Sequence, residues 1–164
     1  IMRVAIVDDE KDMRLSITQW LTLLGYETES YSCAEDALAQ IGSDYPGIIV
    51  TDIKMPGMDG MQFLKRIMAL DTTLPVILIT GHGDVPMAVE AMRLGAFNFL
   101  EKPFNPEALT QLVKLAIQNR RSSLSTRDLR SELSDGSKII KKFVDRYFDQ
   151  KSVPKYLQGI KKSS

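Results

Sequence analysis

The stretch Ile48-Ile49-Val50-Thr51-Asp52-Ile53-Lys54-Met55-Pro56-Gly57-Met58-Asp59-Gly60 decides the fold. Its first four residues are apolar or β-branched with no alternation, as in a strand covered on both faces. The strand runs into Asp52. A loop rich in methionine, proline and glycine follows, and then a helical segment around Met61–Leu70. Strand, loop and helix in that order make one unit of an alternating α/β fold.

The same unit recurs on either side. Upstream, Arg3–Val7 is apolar after its first residue and runs into Asp8 and Asp9. Met13, Ile17, Trp20, Leu21 and Leu24 are spaced by three and four, which predicts an amphipathic helix over Lys11–Leu24 ended by Gly25. Glu27–Tyr31 alternates and reads as a more exposed strand. Ser32 followed by Glu35 reads as a capping box opening a helix Cys33–Ile41. Downstream, Pro75–Ile79 is the most apolar strand and runs into Thr80. The loop Gly81-His82-Gly83-Asp84 leads into a helix Val85–Leu94 closed by Gly95. Phe97–Glu101 is the fifth strand and runs into Lys102-Pro103. Asn105-Pro106-Glu107 reads as N-cap, first-turn proline and acidic first turn of a helix to about Arg121. Five such units with right-handed crossovers wind into a parallel sheet with helices on both faces.

In an open parallel sheet, ligands bind beyond the carboxyl ends of the strands. Asp8, Asp9, Asp52, Thr80 and Lys102 are therefore expected to converge. A lone Asp-Asp more often caps a helix than holds a metal, but a third carboxylate at Asp52 reverses that weighting. Three carboxylates suit a hard cation such as Mg²⁺, and a carboxylate can attack phosphorus. The carbonyl of Lys54 is a further oxygen ligand on the loop behind Asp52. Thr80 alone would be a strand-end hydrogen-bonder. Lys102, at the inner end of a strand, is expensive to desolvate unless it meets an anion. A cis bond to Pro103 would help to aim it inward. His82, the single histidine, reads as a solvated loop residue.

Composition narrows the classes. The chain has 164 residues, 44% hydrophobic and 26% charged, and a formal net charge of zero. That zero conceals an asymmetry: residues 1–120 hold 10 Lys and Arg against 16 Asp and Glu, while residues 121–164 hold 11 against 5. Three segments are expected: a domain over 1–121, a linker or helix extension over 122–136, and a basic amphipathic tail over 137–164. In the tail, Ile139, Ile140, Phe143, Val144, Tyr147 and Phe148 form a stripe flanked by lysines, ended by Pro154. One such helix lacks the partner helix of a helix-turn-helix, so it is expected to dock on protein rather than read DNA. Cys33 is the single cysteine, which excludes an internal disulfide framework. No apolar run approaches the ~18 residues of a membrane span. A cytoplasmic protein without a membrane partner is expected.

Residues 3–120 resemble the receiver domain of two-component response regulators. The motifs are Val7-Asp8-Asp9-Glu10, Thr51-Asp52-Ile53-Lys54-Met55-Pro56-Gly57-Met58-Asp59-Gly60, Ile79-Thr80-Gly81 and Glu101-Lys102-Pro103-Phe104. The resemblance implies a flavodoxin-like (βα)₅ fold of strand order 2-1-3-4-5, here with a C-terminal helical extension. It implies that Asp52 is the phosphoacceptor and that a sensor histidine kinase is the donor. It implies that Asp8, Asp9, Asp52 and the carbonyl of Lys54 hold Mg²⁺ (or Mn²⁺). Thr80 and Lys102 would contact the phosphoryl oxygens, and Phe99 stands at the position of a switch aromatic. Such a protein is a signalling phosphoacceptor rather than an enzyme.

A finer resemblance is to receivers of enhancer-binding activators of the C4-dicarboxylate-transport and nitrogen-regulation type. It is carried by Thr80-Gly81-His82-Gly83-Asp84-Val85-Pro86-Met87-Ala88-Val89-Glu90-Ala91-Met92 and Leu129-Arg130-Ser131-Glu132-Leu133. Those regulators continue into an ATPase, yet no G-x-x-x-x-G-K-[ST] loop occurs here. DNA contact is thus expected only through an output domain outside this chain. A homodimer is expected from a wide stripe, Leu109, Leu112, Val113, Ala116 and Ile117, prolonged by Leu124, Leu129 and Leu133. Two rivals remain. A haloacid-dehalogenase-type phosphatase would need an acid two residues after the nucleophile, where Lys54 stands. A phosphate-independent interaction module would have a decayed site, and none of these positions has decayed.

Overall fold

The computed structural model describes residues 2–81, 83–134 and 136–147. Five strands form one sheet: β1 (Arg3–Val7), β2 (Glu27–Tyr31), β3 (Gly47–Asp52), β4 (Val76–Thr80) and β5 (Asn98–Glu101). All neighbours are parallel and the order is β2-β1-β3-β4-β5, the flavodoxin-like arrangement. The helices are α1 (Lys11–Leu23), α2 (Ala34–Gln40), α3 (Gly60–Leu70), α4 (Val85–Arg93), α5 (Pro106–Ser134) and α6 (Gly136–Tyr147). Residues 1–123 and 124–164 form two compact units.

In the first unit the central strands β1, β3 and β4 are buried on both faces because they are almost wholly apolar, while β2 and β5 at the edges are only partly covered. Side chains alternate between faces along each strand. Ala5, Val7, Ile49 and Leu78 pack with Phe63, Leu64, Ile67, Ala88 and Ala91, the apolar positions of α3 and α4. Val4, Ile6, Ile48, Val50, Ile77 and Ile79 pack with Ile17 and Leu21 of α1 and with Leu109, Val113, Ala116 and Ile117 of α5. Each fully buried branched side chain contributes about 1.5–3 kcal/mol against solvent exposure.

This packing corrects one expectation. The α5 stripe is not a free surface: Leu109, Val113, Ala116 and Ile117 are buried against the unit's own sheet, and Leu112 is partly buried beside them. The large apolar side chains that α5 exposes are instead Leu115, Leu129 and Leu133.

The capping expectation is corrected too. Cys33 stands at the N-cap of α2 with no side-chain cap bond. Glu35 reaches away to the next loop, where its Oε1 accepts from the Met58 amide at 2.9 Å. The capping box lies at α3 instead. Asp59 Oδ1 accepts from the Gln62 amide at 2.8 Å, and Gln62 Oε1 accepts from the Asp59 amide at 3.1 Å. At α5, Asn105 Oδ1 accepts from the Glu107 amide, as the Asn-Pro-Glu signal predicts. Helix α5 then continues without interruption to Ser134.

In the second unit, α6 is strongly amphipathic, with Ile140 and Phe143 exposed and Val144 partly covered. His82, Phe148, Pro154 and the rest of the terminal tail lie outside the described residues. Among those described, no helix is long and apolar enough to cross a membrane.

Candidate functional site

Strand register brings the site together. Val7 is level with Thr51, so Asp8 and Asp52 emerge side by side one residue later. Asp52 is level with Ile79, and Thr80 with Glu101, which puts Thr80 and Lys102 along the same edge. Ligand oxygens of Asp8, Asp9 and Asp52 lie within 4.8 Å of one another. Asp8 and Asp52 are buried, and Asp9 is exposed.

The two oxygens of Asp52 have different partners. Lys102 Nζ donates to Oδ2 at 2.8 Å. The amide of Lys54 donates to Oδ1 at 3.3 Å. The loop behind is held close because residue 60 has no side chain. A Cβ on Gly60 would meet the Asp52 carbonyl and come within 2.6 Å of Ile53 Cα. Gly60 donates its amide to the Ile53 carbonyl at 2.6 Å, which draws the start of α3 against the end of β3. Gly57 takes φ +73°, where a side chain would be strained.

Asp8 is committed at every group but one. Its amide donates to the Tyr31 carbonyl at 3.1 Å. Its Oδ1 accepts from the Glu10 amide at 2.9 Å. Its carbonyl accepts from Arg14 Nη1 at 2.7 Å. Its Oδ2 is buried without a hydrogen-bond partner. Burial is the main reason that its pKa rises to about 6; the Glu10 amide opposes the rise and the charge of Asp52 adds to it. For Lys102, burial works against the charge and is the largest single influence. The bond to Asp52 and the charges of Asp52, Asp8 and Glu10 together outweigh it, and the ammonium lies above its ordinary value.

An orphaned, buried carboxylate oxygen among three carboxylates fits a hard divalent cation, which takes oxygen ligands and keeps several waters. Asp8, Asp9 and Asp52 are thus the side chains able to hold it.

Two expected residues stand at the site in other postures. Thr80 is fully buried, and its hydroxyl is turned to the Leu100 carbonyl at 3.4 Å rather than to Asp52. Phe99 is half-buried against the core on the α3 and α4 side of the sheet. The Lys102–Pro103 peptide is cis. Lys54 also has a side-chain role that its place in the motif does not reveal: Nζ pairs with Asp84 Oδ1 at 3.0 Å, joining the β3–α3 loop to the start of α4. Sequence reading passed over Arg14 as well, because nothing in a helical period distinguishes an arginine that turns back to the preceding loop.

Residues 4–114 match the response regulator receiver domain family. The chain is 45% identical over 127 residues to the C4-dicarboxylate transport transcriptional regulatory protein DctD of Rhizobium meliloti (strain 1021), covering 77% of this chain and 28% of that one. It is 41% identical over 115 residues to the transcriptional regulatory protein FixJ of Bradyrhizobium diazoefficiens, covering 70% and 56%. The chain thus spans well under two thirds of either relative. A response regulator receiver domain protein from Clostridium thermocellum superposes with a TM-score of 0.71 at 30% identity, covering 74% of this chain and 98% of that one.

Proposed function

This chain belongs to the response regulator receiver family, and from that premise we propose that Asp52 accepts a phosphoryl group from a sensor histidine kinase in a Mg²⁺-dependent reaction. The observation that carries the reading is the environment of Asp52. A carboxylate is held from one side by an ammonium at 2.8 Å and flanked by two more carboxylates whose oxygens lie within 4.8 Å. Such a group is poised between a cation it already has and a cation it can share.

A carboxylate oxygen of Asp52 attacks phosphorus. The P–N bond to the kinase imidazole breaks, and its electron pair leaves with the nitrogen, which takes a proton from solvent. When bound, the divalent cation supplies charge neutralisation between the two anions and orients the donor; Asp8, Asp9, Asp52 and the carbonyl of Lys54 would hold it. Lys102 then exchanges the Asp52 carboxylate for a phosphoryl oxygen. Thr80 gives up the long bond to the Leu100 carbonyl for a second phosphoryl oxygen. The space left beside Thr80 admits Phe99. The face made by α4, β5 and the first turns of α5 changes shape, a two-state shift biased by local charge.

The consequence is control of self-association and output. DctD and FixJ are named as transcriptional regulatory proteins, and we read this chain as the receiver of such a regulator, acting in the cytoplasm. DNA contact belongs to an output domain outside this chain, and the basic segment 137–164 docks on protein. Homodimerisation rests on the exposed Leu129 and Leu133 near the end of α5, and light scattering with and without a phosphoryl mimic tests it. The central test is intact mass after incubation with acetyl phosphate and Mg²⁺. One phosphoryl per chain is expected, lost with EDTA and in Asp52→Asn. Undiminished labelling of that variant would refute the assignment.

A further inference from the structure

Asp8 is tied by its amide, its carbonyl and one carboxylate oxygen, and each tie comes from a different part of the fold. The amide goes to β2, at Tyr31, and Oδ1 goes to the following loop, at Glu10. Both partners are backbone groups and would be supplied by any residue. The third tie, Arg14 Nη1 to the Asp8 carbonyl at 2.7 Å, is the one made by a side chain. Arg14 itself is half-buried, and its own helical position is fixed by its amide, which donates to the Glu10 carbonyl at 3.0 Å.

The carbonyl of Asp8 and the amide of Asp9 belong to one rigid peptide plane. A donor that fixes the carbonyl therefore fixes the direction in which Asp9 leaves the chain. Asp9 is exposed and sits at the start of a loop, so burial does not orient it. Rotating the plane would swing the Asp9 carboxylate away from Asp8 and Asp52.

We propose that Arg14 is a positioning residue for the cation site: its guanidinium locks the Asp8–Asp9 peptide and so sets the geometry of two of the three carboxylates. The proposal rests on the reading of Asp8, Asp9 and Asp52 as metal ligands. Groups that orient metal ligands from behind are worth about 10–100-fold in metal affinity. A merely electrostatic role gives the opposite sign. Removing a positive charge near a cation site strengthens cation binding by Coulomb's law, whereas losing the lock weakens it.

The experiment uses the whole chain. Mg²⁺ affinity is measured calorimetrically for the native protein, Arg14→Met, Arg14→Gln and Ile17→Val, and the Asp9 amide resonance is followed without metal. Arg14→Met is expected to weaken Mg²⁺ about tenfold and to shift the metal-free Asp9 amide. Arg14→Gln, which keeps a donor without the charge, is expected to recover part of the affinity. Ile17→Val, a core change on the same helix, is expected to lower the melting temperature with unchanged affinity. Unchanged or tighter Mg²⁺ binding by Arg14→Met overturns the proposal, as does an equal loss in Ile17→Val. An unmoved Asp9 amide overturns it even where Mg²⁺ binds as the site reading requires. A native chain that binds no Mg²⁺, with the Asp9 amide shifted in Arg14→Met, instead overturns that site reading and leaves the lock itself supported.

Discussion

Replacing Arg120 by methionine removes a charge from the interior at the end of the sheet remote from Asp52. Arg120 is fully buried. Nε and Nη2 donate to the Tyr45 carbonyl at 3.0 and 2.9 Å, Nη2 also to the Ser43 carbonyl at 3.4 Å, and Nη1 to Asp71 Oδ2 and Thr73 Oγ1 at 2.9 and 3.0 Å. Methionine keeps the stem and its packing. The Tyr45 carbonyl keeps the Gly47 amide at 2.9 Å as a partner. The cost therefore falls on Asp71, whose side chain is 1% exposed. Breaking a buried pair by removing one partner costs about 3–5 kcal/mol. Asp71 Oδ1 retains the amide and hydroxyl of Thr73 at 2.9 and 2.7 Å, which argues for the lower end, about 3 kcal/mol. At about 4 °C per kcal/mol for a unit of this size, the melting temperature falls by roughly 12 °C.

Urea and thermal unfolding read by Trp20 fluorescence measure this, since Trp20 bridges α1 and α5 through its bond to Thr110 Oγ1 at 2.9 Å. Adding Asp71→Asn to Arg120→Met should restore more than half of the lost stability. A loss below about 1 kcal/mol, the range of exposed pairs, would refute the reasoning, and so would a double variant no better than the single one.

Three further outcomes follow from the site. Lys102→Ala should leave Mg²⁺ affinity equal or tighter, since a cation is gone from beside Asp52, while phosphorylation no longer alters the α4–β5 face; equal chemical-shift responses on that face in both proteins would count against it. Asp8→Asn should abolish Mg²⁺ binding yet stabilise the metal-free fold. The folded pKa of about 6 exceeds the ordinary 3.8, so the native state holds more protons between them, stability declines as pH rises through that window, and the cost persists at neutrality; calorimetric melts of both proteins at pH 4 and pH 7.5 should differ chiefly at the higher pH. Gly60→Ala should lower both stability and phosphorylation rate, because its methyl meets the backbone of Asp52 and Ile53; a variant labelled by acetyl phosphate at the native rate would show that the loop has room to yield.

The sheet was legible because its central strands are apolar runs, and β1, β3, β4 and β5 each lead into a chemically distinctive residue; β2 was read instead from its alternation. That property also made Asp8, Asp52, Thr80 and Lys102 readable together, since parallel register puts successive strand ends on one edge. What escaped reading depends on side chains that reach across the fold. Glu35 satisfies a cap motif locally, but the Met58 amide offered a tertiary partner and won. Arg120 looks like a solvated residue near a helix end until loops separated from it by 49 and 75 positions fold around it. The α5 stripe reads as surplus because periodicity reports that a face is apolar and not what covers it.

Polar groups in the 1–123 unit are sorted to opposite ends of the same strands. The carboxylates lie where β1 and β3 end, and Arg120 with Asp71 gathers the loops that precede β3 and β4. Six residues of β3 span about 20 Å, beyond the roughly 7–10 Å over which substitutions ordinarily couple. Changes at the two ends should therefore add as independent quantities. A lineage, or an engineer, can raise or lower the durability of this protein at one pole while leaving the timing of its signal at the other untouched.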